Sequence, residues 1–192
     1  MINQILLLVR LVHKIMDNYF KKLNINFEIP PICLGETLVN YGMNINNKFH
    51  GLWYDEITNS EVLDFKKFVN NQNCSITLLQ ANSYIPPHTD SNMLSVLNFY
   101  LAADNCLTQF YELKNNATGF QIGNQTDGKV YPLDELNIGP SFMASKGDVY
   151  LLNVSKVHSV IPLDDKDVKR VAICLSFPNL NFDEIQKIII EN

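Results

Sequence analysis

A mainly β fold with flanking helices is what this chain of 192 residues predicts, on three observations. Between residues 75 and 177 short apolar runs alternate with polar turn residues, the pattern of a sandwich or barrel. Before and after that stretch, apolar residues recur at three- and four-residue steps, the spacing of amphipathic helices. Hydrophobic residues make up 46% of the chain and charged residues 18%, a globular balance far from disordered or membrane-spanning composition. One domain suffices at this length, since all-β units of this size commonly stay undivided. The expected organisation is a helical and strand support region over 1–74, a β core over 75–177 and a C-terminal helix over 178–192.

In chain order, the first element is a helix. Ile5, Leu8, Val12, Ile15 and Tyr19 share one side of it, with Arg10, Lys14, Asp17 and Lys21 on the other, so the helix should cover a core. Its apolar run, 5–9, falls far short of the roughly 20 residues that span a membrane, and no small-residue cleavage site comes after it. Two prolines punctuate 29–32, and the runs at 37–41 and 50–54 read as outer strands or ordered loops. Thr58 and Glu61 fit a capping box, after which Val62, Phe65 and Phe68 predict a second helix to about Val69, beside the first on one sheet. Lys66 and Lys67 would be its solvated face, and Trp53, the single tryptophan, a packing residue.

Eight core strands are expected, at 76–81, 84–88, 94–101, 107–113, 141–143, 149–152, 157–161 and 168–177. Turn residues such as Asp104 with Asn105 and the segments 146–148, 153–156 and 164–167 separate them. Residues 115–140, with dispersed glycines, read as a long loop holding at most one hairpin, and loops of that length commonly serve as lids or binding surfaces. Asn181 or Asp183 could cap the last helix, with Ile185, Ile188 and Ile189 facing inward.

A net charge of −5 argues against nonspecific binding to nucleic acid or to anionic membrane, which need a basic face. Cys33, Cys74, Cys106 and Cys174 form no CxxC pair, so reduced thiols and a cytoplasmic setting are expected. The sequons beginning at Asn73, Asn116, Asn124 and Asn153 arise by chance in so asparagine-rich a chain.

Chemistry concentrates in one ordered set: His88, Thr89 and Asp90, then His158, then Arg170. Residues i and i+2 of a strand face the same way, so His88 and Asp90 would present an imidazole and a carboxylate to one ion, and His158 would complete the set. Two imidazoles and a carboxylate on one side of a metal suit non-haem Fe(II), with open positions opposite. Singly, His88 is better read as a turn histidine after two prolines and His158 as a strand-edge histidine bonded to the backbone. Jointly, with Arg170 twelve residues beyond His158, they read as ligands.

The motifs YIPPHTD, NFYL, LTQFYE, KGDVYLLN and KRVAICLSF, in that order, resemble the Fe(II)- and 2-oxoglutarate-dependent dioxygenases, especially the prolyl-hydroxylase-like branch. The resemblance spans 76–177, a little over half the chain. It implies a double-stranded β-helix, the cupin-like jelly roll of eight core strands, with the N-terminal helices packed on one sheet. It also implies that His88, Asp90 and His158 hold the iron and that Arg170 clamps the distal carboxylate of 2-oxoglutarate. A guanidinium fork matches a carboxylate with two charge-assisted hydrogen bonds. Tyr100 lies where such relatives place a tyrosine contacting the same carboxylate, and Gln80 is a weaker second contact. Many relatives carry a hydroxyl residue two places after the arginine, where this chain has Ala172.

The implied reaction is hydroxylation by O2, coupled to conversion of 2-oxoglutarate to succinate and CO2. Asp90 fits hydroxylation, because halogenating members leave the carboxylate position open. The competing reading is a cupin-like module that binds a metal or sugar without turnover, which has no need of a buried arginine facing the metal. Asn82 and Tyr84 could line the substrate mouth. The segments 32–54 and 115–140 would choose among protein side chains, amino acids, nucleobases and small metabolites.

Overall fold

The computed structural model describes residues 16, 18–28, 43–45, 48–50, 52–56, 64–81, 84–90, 92–121, 128–164 and 169–189. Two six-stranded antiparallel sheets dominate it. One has the order β1 (Phe20–Leu23), β12 (Val149–Leu152), β7 (Ser95–Asp104), β14 (Lys169–Phe177), β5 (Ser75–Ala81), β4 (Leu52–Glu56). The other runs β11 (Leu136–Phe142), β8 (Cys106–Leu113), β13 (His158–Pro162), β6 (Ile85–His88), β10 (Lys129–Val130), β9 (Phe120–Gln121). A small hairpin pairs β2 (Met43–Ile45) with β3 (Lys48–His50).

Taking β5, β6, β7, β8, β11, β12, β13 and β14 in order, the chain crosses between the sheets and ends with β14 inserted between β5 and β7. That strand order is a jelly roll, a double-stranded β-helix, as the sequence predicts.

At its centre the first sheet is buried on both faces, which is why β7 reads as a nearly unbroken apolar run. Val96 and Tyr100 face the barrel interior with Leu79, Ala81, Phe110, Tyr150, Ala172 and Cys174. Their neighbours Leu97, Phe99 and Leu101 face outward into a second core. Phe65 and Phe68 close that second core, their rings 4.8 and 5.4 Å from Phe99. The C-terminal helix α1 (Phe182–Ile188) adds Phe182 and Ile185. Asn181 caps it in a capping box with Glu184, and Ile188 and Ile189 pack only partly against the core.

The structure corrects several expectations. The second helix, where described, is a 310 helix, Asp64–Val69, in place of an α-helix. Its i, i+3 pair Phe65 and Phe68 both insert into the outer core, which the tighter winding favours, and Asn70 and Asn71 at φ of 51° and 53° stop it. The first helix is shorter than expected: Met16 is helical, but Asn18 and Tyr19 form a turn and Lys21 lies in β1, whose backbone pairs with β12. The helix's earlier residues and residues 58–63 lie outside the described residues.

The supposed loop 115–140 carries β9, β10, a 310 turn at Leu133–Glu135 and most of β11. Asn137, Gly139 and Pro140 hide β11 from a propensity reading, but β11 is an edge strand with a register shift between Ile138 and Ser141, where proline is tolerated. Gly139 is needed there, because a Cβ would sit 3.0 Å from the Phe110 carbonyl oxygen. The Gln109 side-chain amide donates to the carbonyls of Phe110, Gly139 and Pro140 and stitches the bulge. Among the described residues, no helix is long and apolar enough to cross a membrane.

Candidate metal centre

His88 ends β6 and His158 begins β13, and the two are register partners across the strand pair. Directly opposed side chains in an antiparallel pair sit close, and here the ring centroids are 4.4 Å apart. Asp90 does not get its place from strand alternation, since β6 ends at His88. Its backbone N–H donates to the Val154 carbonyl at 3.3 Å, which folds the carboxylate back over the two rings. Asp90 Oδ1 then lies 3.3 Å from His88 Nε2 and 3.7 Å from His158 Nε2.

Both imidazoles are oriented from behind. His88 Nδ1 lies 2.8 Å from the Pro86 carbonyl oxygen and His158 Nδ1 3.0 Å from that of Lys156. A carbonyl only accepts, so each Nδ1 carries a proton and each Nε2 lies on the side of Asp90. That Nε2 is a lone pair open to an ion when the ring is neutral and, at His88, an N–H donor to the carboxylate when the ring is protonated. Backbone carbonyls fix the tautomer of metal-binding histidines in this way. Donor atoms about 2.1 Å from a shared ion stand between about 3 and about 4.2 Å apart. Asp90 Oδ1 lies 3.3 and 3.7 Å from the two imidazole nitrogens, with all three ligand atoms grouped together. The donor set therefore fits one divalent cation.

Electrostatics agree with that fit. Burial and the neighbouring His88 push the His158 pKa down to about 4, with Asp90 opposing, so His158 stays neutral as a ligand must. For His88, burial works against the charged form, but its hydrogen bond to Asp90 and the Asp90 charge prevail and raise its pKa. Burial works against ionised Asp90 too, yet the two histidines hold its pKa below the ordinary carboxylate value.

Deeper in the barrel, Arg170 at the start of β14 is only 4% exposed. Nη1 donates to Thr108 Oγ1 at 2.6 Å and Nη2 to the Tyr100 hydroxyl at 2.7 Å, while Nε has no partner. The guanidinium carbon lies 5.0 Å from the Tyr100 ring centroid. Among the described residues no carboxylate pairs with it. Its strand partners are Ala81 and Ala103. Its charge reaches the triad, where it helps to lower the His158 pKa. Cys174, also inside the barrel, is pushed up to about 12 by burial despite Arg170, so it is an inert thiol.

Five of the six residues singled out from sequence thus share the barrel interior: His88, Asp90, His158, Tyr100 and Arg170. Gln80 does not. It alternates with Leu79 and Ala81, which face the interior, and shares the side of Ile76 and Leu78, which belong to the outer core. Thr108 is the residue that sequence reasoning missed. It lies within the LTQFYE motif, two residues before the interior Phe110, and that spacing was the available signal. Trp53, on β4, pairs through its backbone with Gln80 of β5.

No sequence-family model matches the chain, and no curated protein matches it either. Solved structures with some likeness include vicilin from Corylus avellana, at 9% identity and TM-score 0.37, covering 73% of this chain and 33% of the vicilin. AviO1 from Streptomyces viridochromogenes Tue57 shows 13% identity and TM-score 0.38, over 88% of this chain and 80% of its own. Hydroquinone 1,2-dioxygenase PnpCD, solved with Cd2+ and 4-hydroxybenzonitrile, shows 12% identity and TM-score 0.23, over 71% and 88%. This chain spans about a third of the vicilin chain. At such TM-scores these likenesses carry no weight for function, and the fold rests on strand order.

Proposed function

We propose that the protein is an Fe(II)- and 2-oxoglutarate-dependent oxygenase, a hydroxylase, with His88, Asp90 and His158 as iron ligands. The observation that carries the reading is Arg170, a buried guanidinium with no anionic partner among the described residues, in the same interior as a metal-competent triad. An unpaired buried charge costs several kcal/mol, so its retention is best explained by an anion that arrives from outside.

When bound, Fe(II) would supply the redox chemistry that couples O2 to oxidative decarboxylation of 2-oxoglutarate, giving succinate and CO2, and to C–H oxidation. The chain's own residues do the rest. Pro86 and Lys156 hold the two Nδ1–H groups, which leaves both Nε2 atoms as the nitrogens that would hold the ion. Asp90 brings the compensating negative charge. A guanidinium has five N–H donors. Arg170 spends two on Thr108 and Tyr100, leaving Nε–H and two others for the distal carboxylate of the cosubstrate. The Tyr100 hydroxyl, held by Arg170, is the second contact. Phe110 beside His158 and the buried Tyr150 beside Tyr100 keep the interior dry.

Anaerobic titration tests this reading. Fe(II) with 2-oxoglutarate should give a weak visible charge-transfer band from bidentate chelation, and succinate should form once O2 is admitted. Absence of both would leave the cupin-like binding module as the better description.

A further inference from the structure

A cleft of about 470 Å3 lies against the turn that joins β12 to β13. Its size falls within the range of small-molecule sites. The turn has two uses. Asn153, Ser155 and Lys156 line the cleft, while the carbonyls of Val154 and Lys156 hold the Asp90 N–H and the His158 Nδ1–H. One short segment is thus the wall of the cleft and the brace of two metal-ligand candidates.

The lining carries charges of both signs. Glu112 and Asp183 contribute carboxylates, and Lys156 an ammonium group. None of the three belongs to an ion pair among the described residues. Glu112 is held in place, because Oε1 accepts the Tyr19 hydroxyl at 2.8 Å. Leu94 and Phe182 add apolar surface between these groups.

We propose that this cleft binds a zwitterion, with its ammonium group on Glu112 or Asp183 and its carboxylate on Lys156, and that the turn passes occupancy on to Asp90 and His158. An amino acid and the ends of a short peptide share that chemistry. The relay rests on the metal-centre reading, whereas the binding site does not. Coupling of two sites is reciprocal: where zwitterion binding changes the affinity of the metal site, the metal changes the affinity for the zwitterion by the same factor.

The test uses the full chain, labelled with 15N, and free L-leucine, L-lysine and the dipeptide Leu-Gly as probes. Binding should shift the backbone amides of residues 153–156 and of Glu112. N-acetyl-leucine amide, which keeps the side chain and loses both charges, should leave them unmoved. If only the free amino acids act, the ligand is an amino acid, and if the dipeptide binds better it is a peptide. Lys156→Met should weaken L-leucine binding about tenfold, the loss of one charge-assisted hydrogen bond at an open rim. Glu112→Gln keeps an acceptor for Tyr19 and should weaken it similarly. The affinity for Mn(II), read by water proton relaxation, should change about fivefold or more when L-leucine is added. No shifts at millimolar concentrations, or equal binding of N-acetyl-leucine amide, would overturn the site. Unchanged Mn(II) affinity in the presence of bound L-leucine would overturn the relay. Failure of Mn(II) to bind at all would sink the relay with the metal centre, and the amide shifts would still decide the site.

Discussion

Replacing Arg170 with Met removes the guanidinium while nearly keeping the volume of the side chain, and it separates a ligand clamp from a structural cross-link. The variant loses two charge-assisted hydrogen bonds, to Thr108 and Tyr100, each worth about 1.5–3 kcal/mol. It also sheds an unpaired buried charge, whose residual cost is several kcal/mol. The Tyr100 hydroxyl keeps the Asn98 Nδ2 donor, 3.4 Å away, when Arg170 is lost. These effects offset one another, so ligand-free stability should stay within about 2 kcal/mol of wild type. Binding should respond very differently. Loss of a bidentate carboxylate contact removes about 3–6 kcal/mol, a hundredfold to ten-thousandfold loss of 2-oxoglutarate affinity.

Urea denaturation without ligand gives the first quantity, and anaerobic calorimetry with Fe(II) and 2-oxoglutarate the second. A ligand-free loss above about 4 kcal/mol would identify Arg170 as a cross-link, because breaking a compensated buried pair costs that much. Unchanged 2-oxoglutarate affinity would refute the clamp outright.

Binding and denaturation assays check the other expectations as well. Arg170→Lys keeps the charge and loses the fork, so affinity for 2-oxoglutarate should fall about ten- to hundredfold; Gln80→Ala, on the outer side of β5, should leave it unchanged. Thr108→Val strands the Nη1 donor and should cost about 1–3 kcal/mol of ligand-free stability, with weaker 2-oxoglutarate binding; a silent variant would remove Thr108 from the site. His158→Ala should abolish stoichiometric Mn(II) binding while the cooperative urea transition persists at a lower midpoint, since a buried ring stacked near His88 and Phe110 is lost. For metal-free protein, the unfolded chain takes up a proton at His158 between about pH 4 and 6.5 that the folded chain refuses, so stability should fall as pH falls through that window. The raised His88 pKa works the other way, contributing stability below 6.5 that is lost as pH rises through its folded value. The urea midpoint in a chelator should therefore peak near pH 6.5, and a flat acid side would contradict the neutral burial of His158.

The legible part of the fold was the part with strong rhythm. Seven of the expected core runs coincide closely with β5, β6, β7, β8, β12, β13 and β14, because turn residues bracket each. β11 was cut to its last residues, since Gly139 and Pro140 lower strand propensity and only the bulge against β8 makes room for them. Gln80 shows a different limit. Alternation along β5 is plain, but Leu78 and Leu79 are both buried, so composition does not say which side of the strand is the barrel interior. Thr108 was hidden for the same reason, in a strand buried from Thr108 through Tyr111.

By itself, then, the sequence determined the strand rhythm, the donor types at 88, 90 and 158, and a cation at 170, because periodicity and side-chain chemistry are local properties. Only the tertiary structure decided that β14 lies between β5 and β7 and so brings Arg170 against Tyr100 and Thr108. It also decided that the Val154 carbonyl, beyond any strand pattern, returns Asp90 to the two histidines. Those contacts depend on pairing between segments tens of residues apart, and the register of such pairing is fixed by packing on both faces of a sheet, which no local window contains.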